Sequence, residues 1–476
     1  MVNAKLLKLS GKIVGQDNLS SEREILIGYS RDQFSPLIGD HMPDAVVRPG
    51  SVEEVQKIVL LTNEHKVPVY PASFGGNLLG MSLPIKGGIV LDMRRMNKIL
   101  EINEKTMTAI IEPGVTWGNL RKEASKKGLE PMPLGGPYTG SPLANYLYDG
   151  AGSYDQEKNK VIGLEAVLPT GEIVKTGGLA LNSRVPNPYI SMGFGPNLTE
   201  LFRMSMGIFG VVTKMVYRIH PIREAEENIY IAFPSLEAFM EGMMEGIRLG
   251  FAHYIWGIDR NFAEGVLPGP EDFEDKNRRQ EIRDKLPSHM LVIGLSGKRK
   301  LVDLYKEILL EEMERFQGKE AQLGEEVKDN SDQLAEGCSQ TIIHMFRKGP
   351  LFWPAALIPP HWVPEWAAKS LSLLKEHDIR DENGDPFVPN IVIVPYCNNE
   401  SVWFEQDCVI NPLDEEGAQK RRGFMQAWLK FCLERGGGTV FFDPTVQPYL
   451  DPGFVHLLKQ IKAIVDPNML FATDKI

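Results

Sequence analysis

The chain has 476 residues, too many for one hydrophobic core, so two or three domains are expected. Its 43% apolar and 24% charged content is ordinary for a globular protein and excludes a disordered or fibrous chain. A net charge of −11 and a pI near 5.5 argue against nucleic acid or an anionic membrane surface as partner.

Cys338, Cys397, Cys408 and Cys432 are scattered without a CxxC pair, which excludes a contiguous iron–sulfur or zinc motif and suits a reducing compartment. The first residues carry lysines but no apolar stretch of signal-peptide length. No run of eighteen apolar residues follows, so a cytoplasmic chain without a membrane span is expected.

Residues 1–221 alternate between helical and strand patterns. Ser51 followed by Glu54 is a capping-box pattern, opening a helix with Val52, Val55, Ile58, Val59 and Thr62 on one face. Val67 to Tyr70 reads as a short strand running into the glycine-rich turn PASFGGNLLG. Gly88 to Met93 and Thr106 to Glu112 are strand-like, and Gly118 to Lys127 is a short helix. Val161 to Leu168, Pro169-Thr170-Gly171 and Glu172 to Lys175 form a hairpin, and Phe209 to Ile219 is a long strand.

From residue 222 the pattern changes. Ile229 to Ala232, Leu236 to Leu249 and His253 to Ile258 read as one β-α-β unit. A charged segment, Gly269 to Lys285, reads as an exposed loop or solvated helix. A strand, His289 to Leu295, and a helix, Leu301 to Phe316, continue the pattern. Asn390 to Pro395 pairs with Val402 to Ile410 before the helix Glu415 to Arg435. The expected architecture is α+β: a two-subdomain N-terminal domain (1–221), a cap with a mainly antiparallel sheet carrying helices on one face (222–445), and a C-terminal segment returning to the first domain (446–476).

Several chemistries are excluded by absent motifs. There is no GxGxxG after a strand, no GxxxxGK[ST], no HExxH and no GxSxG, and the nine histidines lack ligand spacing, so no metal site is expected. The positive signal is Ser73-Phe74-Gly75-Gly76-Asn77-Leu78-Leu79-Gly80 after a strand. Paired glycines let the main chain approach a ligand and can curl successive N–H groups into an anion nest suited to a pyrophosphate. Further glycine-rich stretches are Gly135 to Ser141, with Asn145, Gly150 and Gly152, and Leu201 to Thr213.

Together, PDAVVRPGSVEEVQKIVLLTNEHKVPVYPASFGGN, IVLDMRRMNKILEIN, AIIEPGVTWGNL, EAVLPTGEIVKTG and MGIFGVVTK resemble consecutive signatures of the vanillyl-alcohol oxidase and p-cresol methylhydroxylase flavoprotein family. The resemblance covers residues 20 to 221 and returns at Val465-Asp466-Pro467-Asn468 and Lys475. It implies FAD as cofactor in a PCMH-type FAD-binding domain. Ser73, Phe74, Gly75, Gly76, Asn77 and Leu78 would cradle the pyrophosphate, flanked by Pro71 and Gly80. Gly140, Ser141 and Asn145, with Thr139, Ala144 and Gly152, would complete the phosphate and ribityl site. Gly207, Ile208, Val211 and Val212 would line the flavin or adenine, and Lys475 would meet the electron-rich edge of the flavin.

Departures from the phenol-oxidising branch limit the functional expectation. Leu79, Ser153, Val440 and Phe441 stand where that branch places tyrosines and an arginine, and Gly136 near its aspartate. The glycolate-oxidase branch usually carries a histidine-rich metal site, and no HxxH or HxH occurs here. Other polar groups could take over: Tyr254, Trp256, His344, Arg347, Trp353, Tyr396, Trp403 and Tyr449. Tyr396 and Tyr449, each after a proline near a probable strand end, are the expected catalytic pair. The resulting expectation is an FAD-dependent dehydrogenase or oxidase passing hydride from a small organic substrate to flavin N5. Two rivals remain: an alcohol or 2-hydroxy-acid dehydrogenase of the same fold, and a flavin-carrying electron-transfer subunit of a larger complex. An electron-acceptor protein, a homo-oligomer or a redox complex are the partners it admits. No histidine lies between Asp378 and Val455, so a histidyl flavin link is not expected.

Overall fold

The computed structural model describes all residues except 1, 33–34, 74–79, 81, 132–136, 149–160, 183–186, 191–194, 322, 324–326, 328–344, 346, 348, 350, 353, 382–385, 397–399, 410, 412, 439–444, 473–474 and 476, and lacks described side chains at 36, 37, 351, 352 and 396. Three short parallel strands form the first sheet: β1 (Ala45–Val47), β2 (Val69–Ala72) and β3 (Ile89–Asp92), in the order β1-β3-β2, with Leu19–Ser20 antiparallel beside β1. β3 reads Ile-Val-Leu-Asp and is buried throughout, as expected of a parallel strand covered on both faces. The helix α1 (Val52–His65) covers one face with Val55, Ile58 and Val59, all fully buried. Burying side chains of this size contributes about 1.5–3 kcal/mol each. Its start follows the capping box with one change: Ser51 Oγ accepts the Glu54 N–H at 3.2 Å, whereas the Glu54 carboxylate accepts the N–H of Gly50 at 2.7 Å instead of that of Ser51.

The second sheet is antiparallel. It contains β4 (Ile99–Asn103), β5 (Thr108–Ile111), β6 (Val161–Val167), β7 (Ile173–Lys175) and β8 (Val211–Arg218), ordered β4-β5-β8-β6-β7. The hairpin β6–β7 and the long strand β8 fall where the sequence pattern puts them. Between β5 and β6 lie α2 (Trp117–Ser125) and α3 (Pro142–Tyr148), whose Trp117, Leu120, Leu143 and Tyr146 join the core under this sheet.

The third sheet is the largest. Its longer strands are β9 (Ala225–Phe233), β10 (Tyr254–Asp259), β11 (His289–Gly297), β12 (Ala355–Ile358), β13 (Asn390–Tyr396) and β14 (Ser401–Val409), with the two-residue strands Lys319–Glu320 beside β9 and Leu351–Phe352 beside β14. They run antiparallel in the order β9-β11-β10-β13-β14-β12. The predicted β-α-β unit is split. The connecting helix α4 (Leu236–Leu249) joins β9 to β10, but β11 inserts between these two parallel strands and satisfies the ladders of both. The charged segment forms two helices, Pro270–Glu274 and Lys276–Lys285, anchored by the buried Phe273 and Ile282.

The two faces of this sheet differ. A Cβ at Gly257 would collide with Phe239 of α4, and Phe404 of β14 packs against Trp428 of α8 (Glu415–Glu434). Side chains alternate along strands, so Trp256, Ile258, Trp403, Glu405 and Asp407 occupy the opposite face. The register confirms it: Ile258 pairs with Val392, and Val392 with Glu405, in one cross-sheet row. Among the described residues, no helix is long and apolar enough to cross a membrane.

Candidate active site

The structure gathers the glycine-rich stretches around α3. The Tyr148 hydroxyl at the end of this helix donates to the Pro71 carbonyl at 3.1 Å, where β2 runs into the first loop. The main chain of α3 also holds the third stretch: Met204 N–H donates to Tyr146 O at 3.1 Å, and Met206 N–H to Leu147 O at 3.0 Å. At the start of α3, Asn145 Oδ1 accepts the Trp117 indole N–H at 2.7 Å, and the buried Ser141 donates to Pro113 O at 2.6 Å. Thr139 is exposed, Gly140 buried and Ala144 half-buried beside them.

The third stretch carries an uncommon backbone. Met204, Met206 and Gly207 have φ of +54°, +51° and +81°, three left-handed residues in four positions. Such conformations persist only where the surroundings fix them, and they concentrate at ligand clamps. A Cβ at Gly207 would lie 3.2 Å from Pro71 Cδ, so the first and third stretches meet closely. Val211 and Val212 follow in β8, buried in two different cores, and Gly207 and Ile208 are buried as well.

The C-terminal segment clamps both walls. After the helix α9 (Pro452–Val465), Phe471 forms a parallel bridge to Val69 of β2. Lys462, fully buried, donates to Asp466 Oδ2 at 2.6 Å, Ile208 O at 2.6 Å and Phe471 O at 2.8 Å. Asp466 in turn accepts the N–H groups of Leu470 and Phe471. Burial lowers the Lys462 pKa, opposed by the Asp466 charge and hydrogen bond. Farther on, Lys475 Nζ donates to Gly80 O at 3.3 Å, while Asp32 accepts the Gly80 N–H at 2.6 Å. Gly80 is therefore held from both ends of the chain. Sequence reasoning missed Lys462; the signal was a lysine four residues before Asp466, one helical turn from it.

Above these loops stands the inner face of the large sheet. Trp403 packs against Met206, as do Met204 and Tyr148, which joins β14 to the third stretch. Its indole N–H donates to Glu405 Oε2. Glu405 is 5% exposed and Asp407 fully buried. Burial raises the Glu405 pKa, against hydrogen bonds with Asp407 and Trp403 that lower it. Of the other sequence candidates, Tyr254 donates to Asn228, and Arg347 caps Gly265, Val266 and Pro268 carbonyls while stacking on Phe273. Tyr396 pairs through its backbone with Ser401, two register steps beyond Trp403, and Tyr449 is 43% exposed on a short turn before α9. Phe74 to Leu79, Gly136, Gly152, Ser153, His344, Trp353, Val440 and Phe441 lie outside the described residues.

Residues 43–177 match the family described as FAD binding domain. The chain carries a PCMH-type FAD-binding domain. It is 31% identical over 232 residues to the glycolate oxidase subunit GlcD of Bacillus subtilis (strain 168), covering 48% of this chain and 47% of that protein. It is 30% identical over 215 residues to the 4-cresol dehydrogenase [hydroxylating] flavoprotein subunit of Pseudomonas putida, covering 44% and 41%. The chain thus spans less than half the length of these two relatives. The solved structure of 4-ethylphenol oxidase from Gulosibacter chungangensis superposes with a TM-score of 0.84 at 20% identity, covering 100% of this chain and 97% of that one, and shows the same fold.

The residues present fit FAD. The tight approach of left-handed Gly207 to Pro71 brings the main chain of two glycine-rich stretches together, which suits a flat or phosphate-bearing group held by main chain. Pro71 to Ser73, Gly140 to Asn145 and Gly207 to Ile208 are the groups that would hold it.

Proposed function

We propose that the chain is an FAD-dependent oxidoreductase whose small organic substrate lies between the FAD-binding loops and the inner face of the cap sheet. The bound flavin would supply hydride acceptance. The protein's part is to hold the substrate against it and exclude water. The observation that carries this reading is the Met206 cluster: Trp403, on a cap strand bearing buried acids, packs against Met206, as does Tyr148, whose hydroxyl bonds Pro71 O. Pro71, Ser73 to Leu78, Gly80, Thr139 to Ser141, Ala144, Asn145, Gly152, Gly207, Ile208, Val211, Val212 and Lys475 form its proposed FAD site, with Tyr396 and Tyr449 as proposed tyrosines at the substrate side. The proposed units are residues 1–221, 222–445 and 446–476, the last supported by the Lys462 and Lys475 bonds to the FAD-binding part.

Anaerobic mixing of the purified flavoprotein with neutral alcohols, 2-hydroxy acids and p-cresol tests the reading. Flavin bleaching by a neutral alcohol is expected. Bleaching by 2-hydroxy acids alone would transfer the assignment to the second reading, supported by the glycolate oxidase relative. No bleaching by any compound would favour an electron-transfer subunit. Weak activity on para-substituted phenols is expected from Leu79, Val440 and Phe441, which cannot stabilise a phenolate. Acid precipitation should release FAD from the protein, since the stretch Asp378 to Val455 offers no histidine for a link.

A further inference from the structure

Two buried polar groups on the inner face of the cap sheet have no partner among the described residues. One is an acceptor, Glu405 Oε1; the other is a donor, the Trp256 indole N–H. Their burial is complete or nearly so, 5% exposed for Glu405 and 0% for Trp256. They belong to adjacent cross-sheet rows. Ile258, Val392 and Glu405 form one row, and Trp256 and Trp403 stand two residues along their strands on the same face. Leaving a buried donor or acceptor unsatisfied costs about 1–3 kcal/mol each, so a fold that keeps both on the face resting on the FAD-binding turn has reserved them for a bound group.

A hydroxyl group is the simplest partner for both, because it donates one hydrogen bond and accepts others. Glu405 is also equipped to take the hydroxyl proton. Its Oε2 is fixed by the Trp403 N–H, which leaves Oε1 as the open atom. The buried Asp407 carboxyl stands two residues along the same face of the strand and acts on Glu405, and two carboxyl groups this close in a dry site resist ionising together. Burial pushes the Glu405 pKa up, toward the range where a carboxylate is an effective base at neutral pH.

We propose that Glu405 and Trp256 form the substrate-hydroxyl site, with Glu405 as proton acceptor backed by Asp407, and that the substrate is a neutral alcohol. This assignment rests on the oxidoreductase reading above. In the reaction the O–H bond breaks and its proton goes to Glu405, while its electron pair becomes the second bond of the new carbonyl. The C–H bond breaks with its electron pair leaving as hydride to oxidised flavin, so the alcohol is oxidised and the flavin reduced by two electrons. The negative charge that Glu405 carries as proton acceptor disfavours carboxylates and phenolates at the same place, because like charges in low dielectric repel strongly.

The test uses the FAD-loaded protein with benzyl alcohol, cyclohexanol, benzoate and p-cresol as probes. Glu405→Gln should slow flavin bleaching by the alcohols about 10²–10⁴-fold while keeping its FAD content. Trp256→Phe should weaken benzyl alcohol binding about tenfold, measured by calorimetry on the oxidised protein, because one hydrogen-bond donor is lost. Benzoate should bind more weakly than benzyl alcohol to the wild type. Wild-type bleaching rates in Glu405→Gln, or tighter binding of benzoate than of benzyl alcohol, would overturn the proposal. Should Glu405→Gln fail to fold, an unchanged benzyl alcohol affinity in Trp256→Phe overturns it alone. If no compound bleaches the wild-type flavin, the oxidoreductase reading falls; calorimetry then decides the site, with binding lost in Trp256→Phe supporting it and absent binding overturning it.

Discussion

The FAD-binding part and the cap bury charge in opposite ways. Beneath the flavin loops, Lys462 and Asp466 are both fully buried, and each meets charged or main-chain partners at 2.6–2.9 Å. In the cap, Glu405 and Asp407 are buried side by side, and the groups acting on Glu405 are that neighbouring acid and the neutral indole of Trp403. Removing one member of a paired buried ion leaves an uncompensated charge, so such a pair locks a fold in place. A buried acid without a counter-charge stabilises nothing; it stores a perturbed proton affinity, the property associated with functional sites. One arrangement ties the C-terminal segment to the third glycine-rich stretch, and the other leaves a perturbed acid on the cap sheet.

The sharpest way to break this contrast is Lys462→Met. It would strand Asp466 and release both Ile208 O and Phe471 O, at a cost of about 3–5 kcal/mol. Urea unfolding should show this loss, and FAD should be lost on desalting as the third loop and the C-terminal segment part. A loss below about 1 kcal/mol would place Lys462 among dispensable buried charges.

Next in size is Gly207→Val. A β-branched residue at φ +81° costs on the order of 1–3 kcal/mol, and its Cβ would press on Pro71. FAD affinity should fall at least about tenfold, equivalent to 1.4 kcal/mol, read from flavin fluorescence on titration of the apoprotein. Unchanged affinity would mean that the approach of the first and third loops does not grip the cofactor.

The matching substitution in the cap should do the reverse for stability. Glu405→Gln removes an uncompensated buried charge at nearly constant volume, so the urea midpoint should stay or rise even as turnover falls. A drop of more than about 1 kcal/mol would show that the acid pair is structural, and the contrast would fail.

How far sequence foresaw these sites follows the same division. The glycine-rich stretches and the β3, β6–β7 and β8 patterns were legible, because local backbone demands write themselves into adjacent residues as glycines, turn residues and continuous β-branched runs. The inner face of the cap was not. Glu405 and Asp407 look like surface positions in an alternating strand, and only the register of β10, β13 and β14 puts Glu405 in a row with Ile258, with Asp407 two residues along the same face. Trp256 and Trp403 were candidates among several aromatics, with nothing local to separate a core indole from one holding an acid. Likewise the split of the β9-α4-β10 unit by β11 is a non-local pairing that the helix and strand periods do not encode.

The smallest expected effect carries the clearest sign. Burial raises the Asp92 pKa but hydrogen bonds from Arg94 and Tyr29 outweigh it, so the net shift is downward; in Glu405 burial prevails and the shift is upward. A carboxyl with a lowered folded pKa contributes stability that is present above its unfolded value, near 3.9 for Asp, and is lost as pH falls through the folded value. A carboxyl with a raised folded pKa does the opposite: its contribution is present below the unfolded value, near 4.3 for Glu, and is lost as pH rises through the folded value. Asp92→Asn should therefore lose stability relative to wild type toward neutral pH and converge with it in acid. Glu405→Gln should gain on wild type as pH rises and converge below about pH 4. The Asp92 effect is small, below about 1 kcal/mol, because Arg94 is half-exposed and water screens the pair. Thermal unfolding of the three proteins from about pH 8 down to pH 3 separates the two curves. Parallel curves would mean that the two carboxyls sit in the same kind of environment, and that the difference between the FAD-binding part and the cap is one of hydrogen-bond count rather than of charge compensation.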